Sequence, residues 1–210
     1  MSAIGAQDLS ALIQAMAERV AAEREALNRL DAALGDGDHG TSISTAFAVA
    51  VEEIEALEQP SLNAIWLATA KALMNRMGGA SGAIFGTFFL KGVATLRDAD
   101  RLHKDAMGAL LAAGLEGVKA RGKAGVGDKT MVDALAPAVA AFGAADEFAS
   151  AWRAAAAAAR TGAESTRDQV ARQGRAKFLG ERAIGQQDPG ATTIALMFEA
   201  SHLWWKENKQ

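Results

Sequence analysis

Apolar residues in this chain return every three or four positions and almost never every second one. In the first segment they are Leu9, Leu12, Ile13, Met16, Val20, Leu27, Leu30 and Leu34. That step puts them along one face of a helix and leaves the other face polar. Runs of β-branched residues are nearly absent, alanine is abundant, and no period-2 stretch argues for a strand. Alanine is the strongest helix former. Even the low-complexity run from Arg153 to Arg160, R-A-A-A-A-A-A-R, therefore reads as helix and not as linker.

The pattern predicts eight helices, over 9–34, 41–57, 61–77, 83–96, 101–121, 130–142, 147–172 and 190–206. Ser61, after Pro60, is placed to cap the third. Pro137 lacks an N–H and crowds the preceding turn, so its helix is expected to kink or to start only near Asp133. The chain has 210 residues, 50% of them hydrophobic, which suffices for one good-sized core. No linker composition and no internal repeat divides it. The expectation is one all-α domain over residues 1–210, built as an up-and-down bundle.

Composition excludes several functions. The net charge is −3 and no long basic run occurs, so nothing argues for nucleic acid as a partner. Cysteine is absent, which removes disulfides, thiolate nucleophiles and Cys-ligated zinc, and suits a reducing cytoplasm. Residues 1–14 carry no basic residue ahead of their apolar positions, so no secretory signal is expected. No uninterrupted apolar run approaches the roughly 18–20 residues of a membrane span.

Four connections are glycine-rich: 35–40, 78–82, 122–127 and 174–190. They follow the first, third, fifth and seventh predicted helices, while the connections after the second, fourth and sixth are not glycine-rich. Alternate connections of an up-and-down bundle lie at the same end. Glycine lets backbone approach a ligand closely. One end of the bundle is thereby marked as the site.

The first of these loops is the densest in chemistry. Asp31, Asp36 and Asp38 crowd three carboxylates together, and such groups repel one another unless a cation sits among them. Mg²⁺ takes oxygen ligands of this kind, completed by water and phosphates. The competing reading is a pair of Asp-Gly turns and one solvated aspartate. An EF-hand fails, because the twelfth position from Asp36 is Phe47. Residues 35–40 fit G-x-G-x-x-G, but a helix precedes them where the dinucleotide fingerprint needs a strand. Residues 117–124 approach a P-loop but lack its Ser/Thr and also follow a helix.

His39 either bonds a phosphate, orients a ligand, or is satisfied locally. His103 and His202 have no partner at ligand spacing and read as surface residues. Gly78-Gly79-Ala80-Ser81-Gly82 precedes an apolar helix, where backbone N–H groups and the Ser81 hydroxyl make either an anion site or a tight packing contact. The loop G-K-A-G-V-G-D-K-T over 122–130 reads as a mobile phosphate cover or as a flexible surface loop. The last loop carries Arg172, Arg175, Lys177 and Arg182, and guanidinium groups bind phosphate bidentately. It ends in Asp188-Pro189-Gly190, where Asp188 accepts from a ribose or caps the last helix.

Taken in order, D-(x)4-D-G-D-H-G-T, G-G-A-S-G-(x)3-G-T-F-F, R-G-K-A-(x)2-G-D-K-T-M and G-R-A-(x)2-L-G-E-R-(x)-I-G-(x)-Q-D-P-G-A are recognisable. The chain resembles the ADP-binding L subunits of the dihydroxyacetone kinase family from Asp31 to Ala191. The resemblance implies an eight-helix up-and-down barrel with a nucleotide, ADP or ATP, at one end. It implies that Asp31, Asp36 and Asp38 hold two Mg²⁺ ions and that His39, Gly40, Thr41 and Ser42 line the phosphates. Contacts to the nucleotide would come from Ala80, Ser81, Gly122, Met131, Arg175, Asp188, Pro189 and Gly190. The family often has Asn where this chain has the shorter Ser42.

The same resemblance implies a partner. A separate K subunit holds dihydroxyacetone covalently and receives the γ-phosphoryl group from the L subunit. In one mode of the family a phosphohistidine carrier, the M subunit, recharges resident ADP; in the other, ATP exchanges. Two alternatives stand beside this reading: another short ketose such as erythrulose as acceptor, and a nucleotide-binding regulatory module without turnover. Trp204 and Trp205 pack either on the core or on another chain, which leaves a homodimer open.

Overall fold

The computed structural model describes residues 3–96 and 99–209. These form nine α-helices: α1 Ala6–Ala22, α2 Arg24–Leu34, α3 His39–Glu55, α4 Leu62–Arg76, α5 Gly79–Val93, α6 Lys104–Gly122, α7 Met131–Ala144, α8 Phe148–Ser165 and α9 Pro189–Asn208. Short 3₁₀ turns follow at Ala94–Leu96, Thr166–Asp168 and Ala176–Ala183. Helices α3 to α9 pack each on the next, and α1 packs on both α9 and α3. The ring of eight is therefore closed, while α2 lies outside it on α3 and α9. Among the described residues there is no strand, only an isolated bridge between Ile4 and Leu102.

Aromatic side chains fill the barrel. Trp66 meets Phe89 at 4.6 Å between ring centroids, and Trp152 meets Phe142 at 4.7 Å. Burying such rings removes more apolar surface from water than any other side chain does. Trp204 and Trp205 are both buried in this chain, with Trp205 stacked on Phe148. Gly79–Leu96 is long and apolar enough to cross a membrane by length and composition. It includes Lys91, however, and its Phe85, Phe88 and Phe89 are buried between neighbouring helices of the barrel.

The predicted elements recur with differences in where some begin and end. The first predicted helix divides at Glu23, whose N–H bonds to Val20 O in a tightened turn. The apolar positions stay in phase across the break, so spacing alone does not reveal it. The bend brings α2 onto α3 so closely that a Cβ on Gly40 would overlap the Arg24 carbonyl. The seventh predicted helix ends at Ser165 rather than 172. The Thr166 carbonyl there accepts from Gln169 N–H in a 3₁₀ turn and from Lys129 Nζ. Helix α7 starts at Met131 and runs through Pro137; the Asp133 carbonyl four residues back faces Gly162 of α8. Ser61 caps α4 as expected, its hydroxyl accepting from Ala64 N–H at 3.1 Å.

Candidate functional site

The connections after α2, α4, α6 and α8 meet at one end of the barrel. Asp31, in the last turn of α2, organises the first. Its Oδ2 accepts from the backbone N–H groups of Gly37 at 2.9 Å, Asp38 at 3.0 Å and His39 at 3.2 Å. Gly37 supplies the left-handed φ of +80° that the wrap requires. Asp36 and Asp38 stand exposed beside it. One carboxylate oxygen from each of the three aspartates lies within 4.8 Å of the others, a donor set suited to a hard cation. Arg175 reaches across from the last loop and pairs with Asp36. Its hydrogen bond holds the Asp36 carboxyl below the usual range, and Asp36 in turn raises Arg175.

Two cavities adjoin at this end. One, of about 160 Å³, is lined by the three aspartates, Ser42, Ala80, Ser81 and Arg175. The other, of about 520 Å³, shares His39, Ala80 and Ser81 with it and runs on between α5, α6, α7 and α9. Its walls are largely apolar, from Leu34, Ile84, Phe85, Val118, Met131 and Pro189, with Gly122, Asp188 and Gly190 among them. A charged pocket opening into a larger apolar one matches a ligand with a polyanionic end and a flat, weakly polar body. Ser81 lies in the first turn of α5, which starts at Gly79, four residues earlier than predicted, after the N-cap Gly78.

Of the residues that the family resemblance assigns to the site, all but Gly40 and Thr41 line one of these cavities; of the basic residues in the last loop, Arg175 does, while Arg172, Lys177 and Arg182 line neither. Gly40 is taken up by the contact with α2. Thr41 is bound to Asn28, accepting from its Nδ2 and donating its own N–H to Oδ1, both at 2.9 Å. His39 is satisfied locally as well as lining both cavities. Its Nε2 lies 2.9 Å from Thr193 Oγ1, and that hydroxyl donates to Pro189 O. Thr193 therefore accepts from His39 Nε2–H, which leaves Nδ1 as the lone-pair nitrogen. Burial depresses the His39 pKa against the opposing pull of Asp31 and Asp38, which favours the neutral ring.

Asp188 caps α9, accepting from Ala191 N–H at 2.7 Å. It is partly buried and lines the larger cavity, and its own N–H donates to Thr166 Oγ1 just past α8. Burial raises it to about 7, helped by Asp133 and opposed by the Ala191 N–H and Lys129. His103 is exposed ahead of α6, but His202 is not the surface residue expected. It is partly buried on α9, and its Nδ1 is enclosed without a partner.

Residues 33–202 match the DAK2 domain. The chain belongs to this family. Over 189 residues it is 38% identical to the PEP-dependent dihydroxyacetone kinase, ADP-binding subunit DhaL, of Escherichia coli K12, covering 88% of this chain and 90% of that one. It is 36% identical to the L-erythrulose 1-kinase of Mycolicibacterium smegmatis over 190 residues, covering 87% of this chain and 33% of that protein. The fold matches the crystal structure of the dihydroxyacetone kinase from C. freundii in complex with AMP-PNP and Mg²⁺. There the TM-score is 0.75 and the identity 28%, over 97% of this chain and 35% of that one. The chain thus spans about a third of the longer kinases and nearly the whole of the DhaL subunit.

Two buried charges of this DAK2 domain escape a reading by motif. Lys129 and Asp133 are each 2% exposed. Asp133 accepts from Thr130 N–H at 2.8 Å and Gly127 N–H at 2.6 Å, and from Gln169 Nε2 at 3.1 Å. Lys129 donates to the carbonyls of Thr166 and Gln186. The signal that could have found Asp133 is the spacing T-x-x-D from Thr130, a capping box at the start of α7. Nothing in the local sequence marks Lys129 as buried. The loop it ends is therefore braced internally and is not a free cover.

Proposed function

We propose that the whole chain is one L-type domain, the nucleotide-binding subunit of a cytoplasmic kinase that phosphorylates dihydroxyacetone held on a separate K subunit. The observation that carries this reading is the junction of the two cavities at His39 and Ser81. It places a three-carboxylate cluster at one end of an apolar slot of nucleoside size. The close likeness to a DhaL subunit along nearly its whole length supports the assignment.

Asp31, Asp36 and Asp38 would hold two Mg²⁺ ions, which would supply the positive charge that offsets the polyphosphate. The chain's own groups do the rest by positioning. Asp31 keeps the loop wrapped, so that Asp36 and Asp38 point to the same side. The first turn of α5 offers N–H groups and the Ser81 hydroxyl to phosphate oxygens. Neutral His39, fixed through Thr193, presents Nδ1 as an acceptor between the two cavities. Arg175, paired with Asp36 on the rim, supplies a guanidinium to the phosphates. Met131, Pro189 and the apolar wall take the base, and Asp188 and Gly190 face the ribose. The ketose comes with the partner, which docks at this end of the barrel.

A second acceptor has its own support: relatives named as erythrulose kinases are 36% identical to this chain. The phosphoryl source is ATP or a phosphohistidine carrier M subunit acting on resident ADP. The deciding experiment is calorimetric titration of ADP with Mg²⁺ and then with EDTA, followed by assay with a K subunit charged with dihydroxyacetone or erythrulose. Mg²⁺-dependent binding that survives desalting favours the carrier-driven mode, and readily exchanged binding favours ATP. Binding without turnover on any K-type partner leaves the regulatory module as the reading, and no ADP binding removes the assignment.

A further inference from the structure

The reaction outlined above gives no task to the most thoroughly buried cation among the described residues. Lys129 is 2% exposed and sits at φ +59°, a left-handed conformation that costs a non-glycine residue energy. Such a conformation persists only where surrounding contacts over-determine it. Here they are explicit. Nζ donates to the Thr166 carbonyl at the end of α8 and to the Gln186 carbonyl just ahead of α9. The Lys129 main chain leads directly into Thr130, the N-cap of α7.

These bonds join two walls of the apolar cavity. Met131 opens α7, and Asp188-Pro189-Gly190 opens α9. A Cβ on Gly190 would lie 3.5 Å from Met131 Cβ, so the two helix starts touch. Thr166 continues the link, its Oγ1 accepting from Asp188 N–H at 2.9 Å. Gly185 N–H, bonded to Arg167 O at 2.7 Å, holds the same segment from its other side.

We propose that Lys129 is a positioning residue for the nucleotide, clamping the starts of α7 and α9 together through Thr166 and Gln186 so that the cavity has a fixed width. Resting on the nucleotide-binding reading, this role separates the base and ribose side of the site from the carboxylate side. Loss of hydration depresses the Lys129 pKa, while Asp188, Asp133 and Asp168 favour its charge. The ammonium is thus held by two carbonyl acceptors inside the chain at the wall of the cavity.

The test is Lys129→Met, which keeps the stem and deletes the donors. ADP affinity with Mg²⁺ is expected to fall about tenfold or more, the scale of a buried charged hydrogen bond. Amide exchange at Gly185 and Asp188 should rise, while exchange at Gly37, Asp38 and His39, held by Asp31, stays as in the wild type. Lys129→Arg, which keeps donors and charge, should restore affinity to within about threefold. Where Lys129→Met does not fold, Thr166→Val, which leaves the carbonyl that Lys129 holds and removes the Oγ1 bond to Asp188 N–H, tests the continuation of the clamp to α9 and should weaken ADP about three- to tenfold. Unchanged ADP affinity in the folded variants overturns the proposal, as does loosening that spreads equally to the Asp31 loop. Failure of the wild-type chain to bind ADP is seen before any variant is made, and it overturns the functional reading and this role together.

Discussion

Asp36 and Asp38, on one side of the site, are exposed, whereas Lys129 and Asp133, on the other, are each 2% exposed. Both sides are glycine-rich loops with dense charge, and in sequence they look alike. The first side meets Asp36 with one exposed guanidinium, from Arg175. The second meets its charges with hydrogen bonds from its own backbone and side chains. Exposed charge of one sign is left to be balanced by something that arrives. Buried charge with a complete set of partners braces the loop that carries it. Charge density therefore does not distinguish a binding loop from a structural one; the surroundings do.

Substitution should separate the two sides in opposite ways. Asp36→Ala or Asp38→Ala is expected to lower phosphoryl transfer with a K-type partner by about 10²–10³-fold. The melting temperature should hardly move, since neither side chain is buried. Full activity in either variant would remove the metal assignment. Asp133→Ala is expected to behave the other way, costing about 2–4 kcal/mol of stability in urea unfolding, because Gly127, Thr130 and Gln169 lose their acceptor. A loss under half a kcal/mol would mean that water replaces the carboxylate and that the loop is not braced as described.

The third comparison uses pH. Asp188 is raised to about 7 from 3.8, so between those values the folded chain holds a proton that the unfolded chain releases. Its ionisation opposes folding above pH 7, and that penalty is relieved as pH falls towards 4. Asp188→Asn keeps a capping side chain and loses the titration. Wild type should therefore gain on the variant by on the order of 1–4 kcal/mol between pH 8 and pH 4.5. Parallel unfolding curves at both pH values would show that Asp188 stays hydrated. The smallest effect is expected for Arg175→Gln. Its pair with Asp36 is exposed on both sides, so the melting temperature should stay put while ADP affinity drops. A clear loss of stability would mark that pair as part of the brace.

The helices were legible because their apolar stripes repeat over ten or more residues, and the parity of the glycine-rich connections located the site end. What escaped notice depends on contacts between distant segments. The break at Glu23 is set by the approach of Gly40 to the Arg24 carbonyl, and no residue near Glu23 announces it. Just past the end of helix α8, the Thr166 carbonyl accepts from Lys129, 37 positions away. The resemblance makes Thr41 a phosphate contact; its N–H donates to Asn28 and its hydroxyl accepts from Asn28 while keeping its own hydrogen to donate, a tie that no local pattern announces. The motif around Lys129 is legible as a block of glycine and charge. Burial of its lysine is a property of the closed ring and is invisible along the chain.

The Asp31 carboxylate, with three amide hydrogens on one oxygen, bears on the timing of binding. A loop that had to wrap around an arriving cation would lose its conformational freedom at that moment, at roughly 1–2 kcal/mol per ordered residue. Here the wrap is complete when the chain has folded. Capture of a metal–nucleotide complex can then proceed at the rate of encounter, with little reorganisation heat or entropy left in the association step.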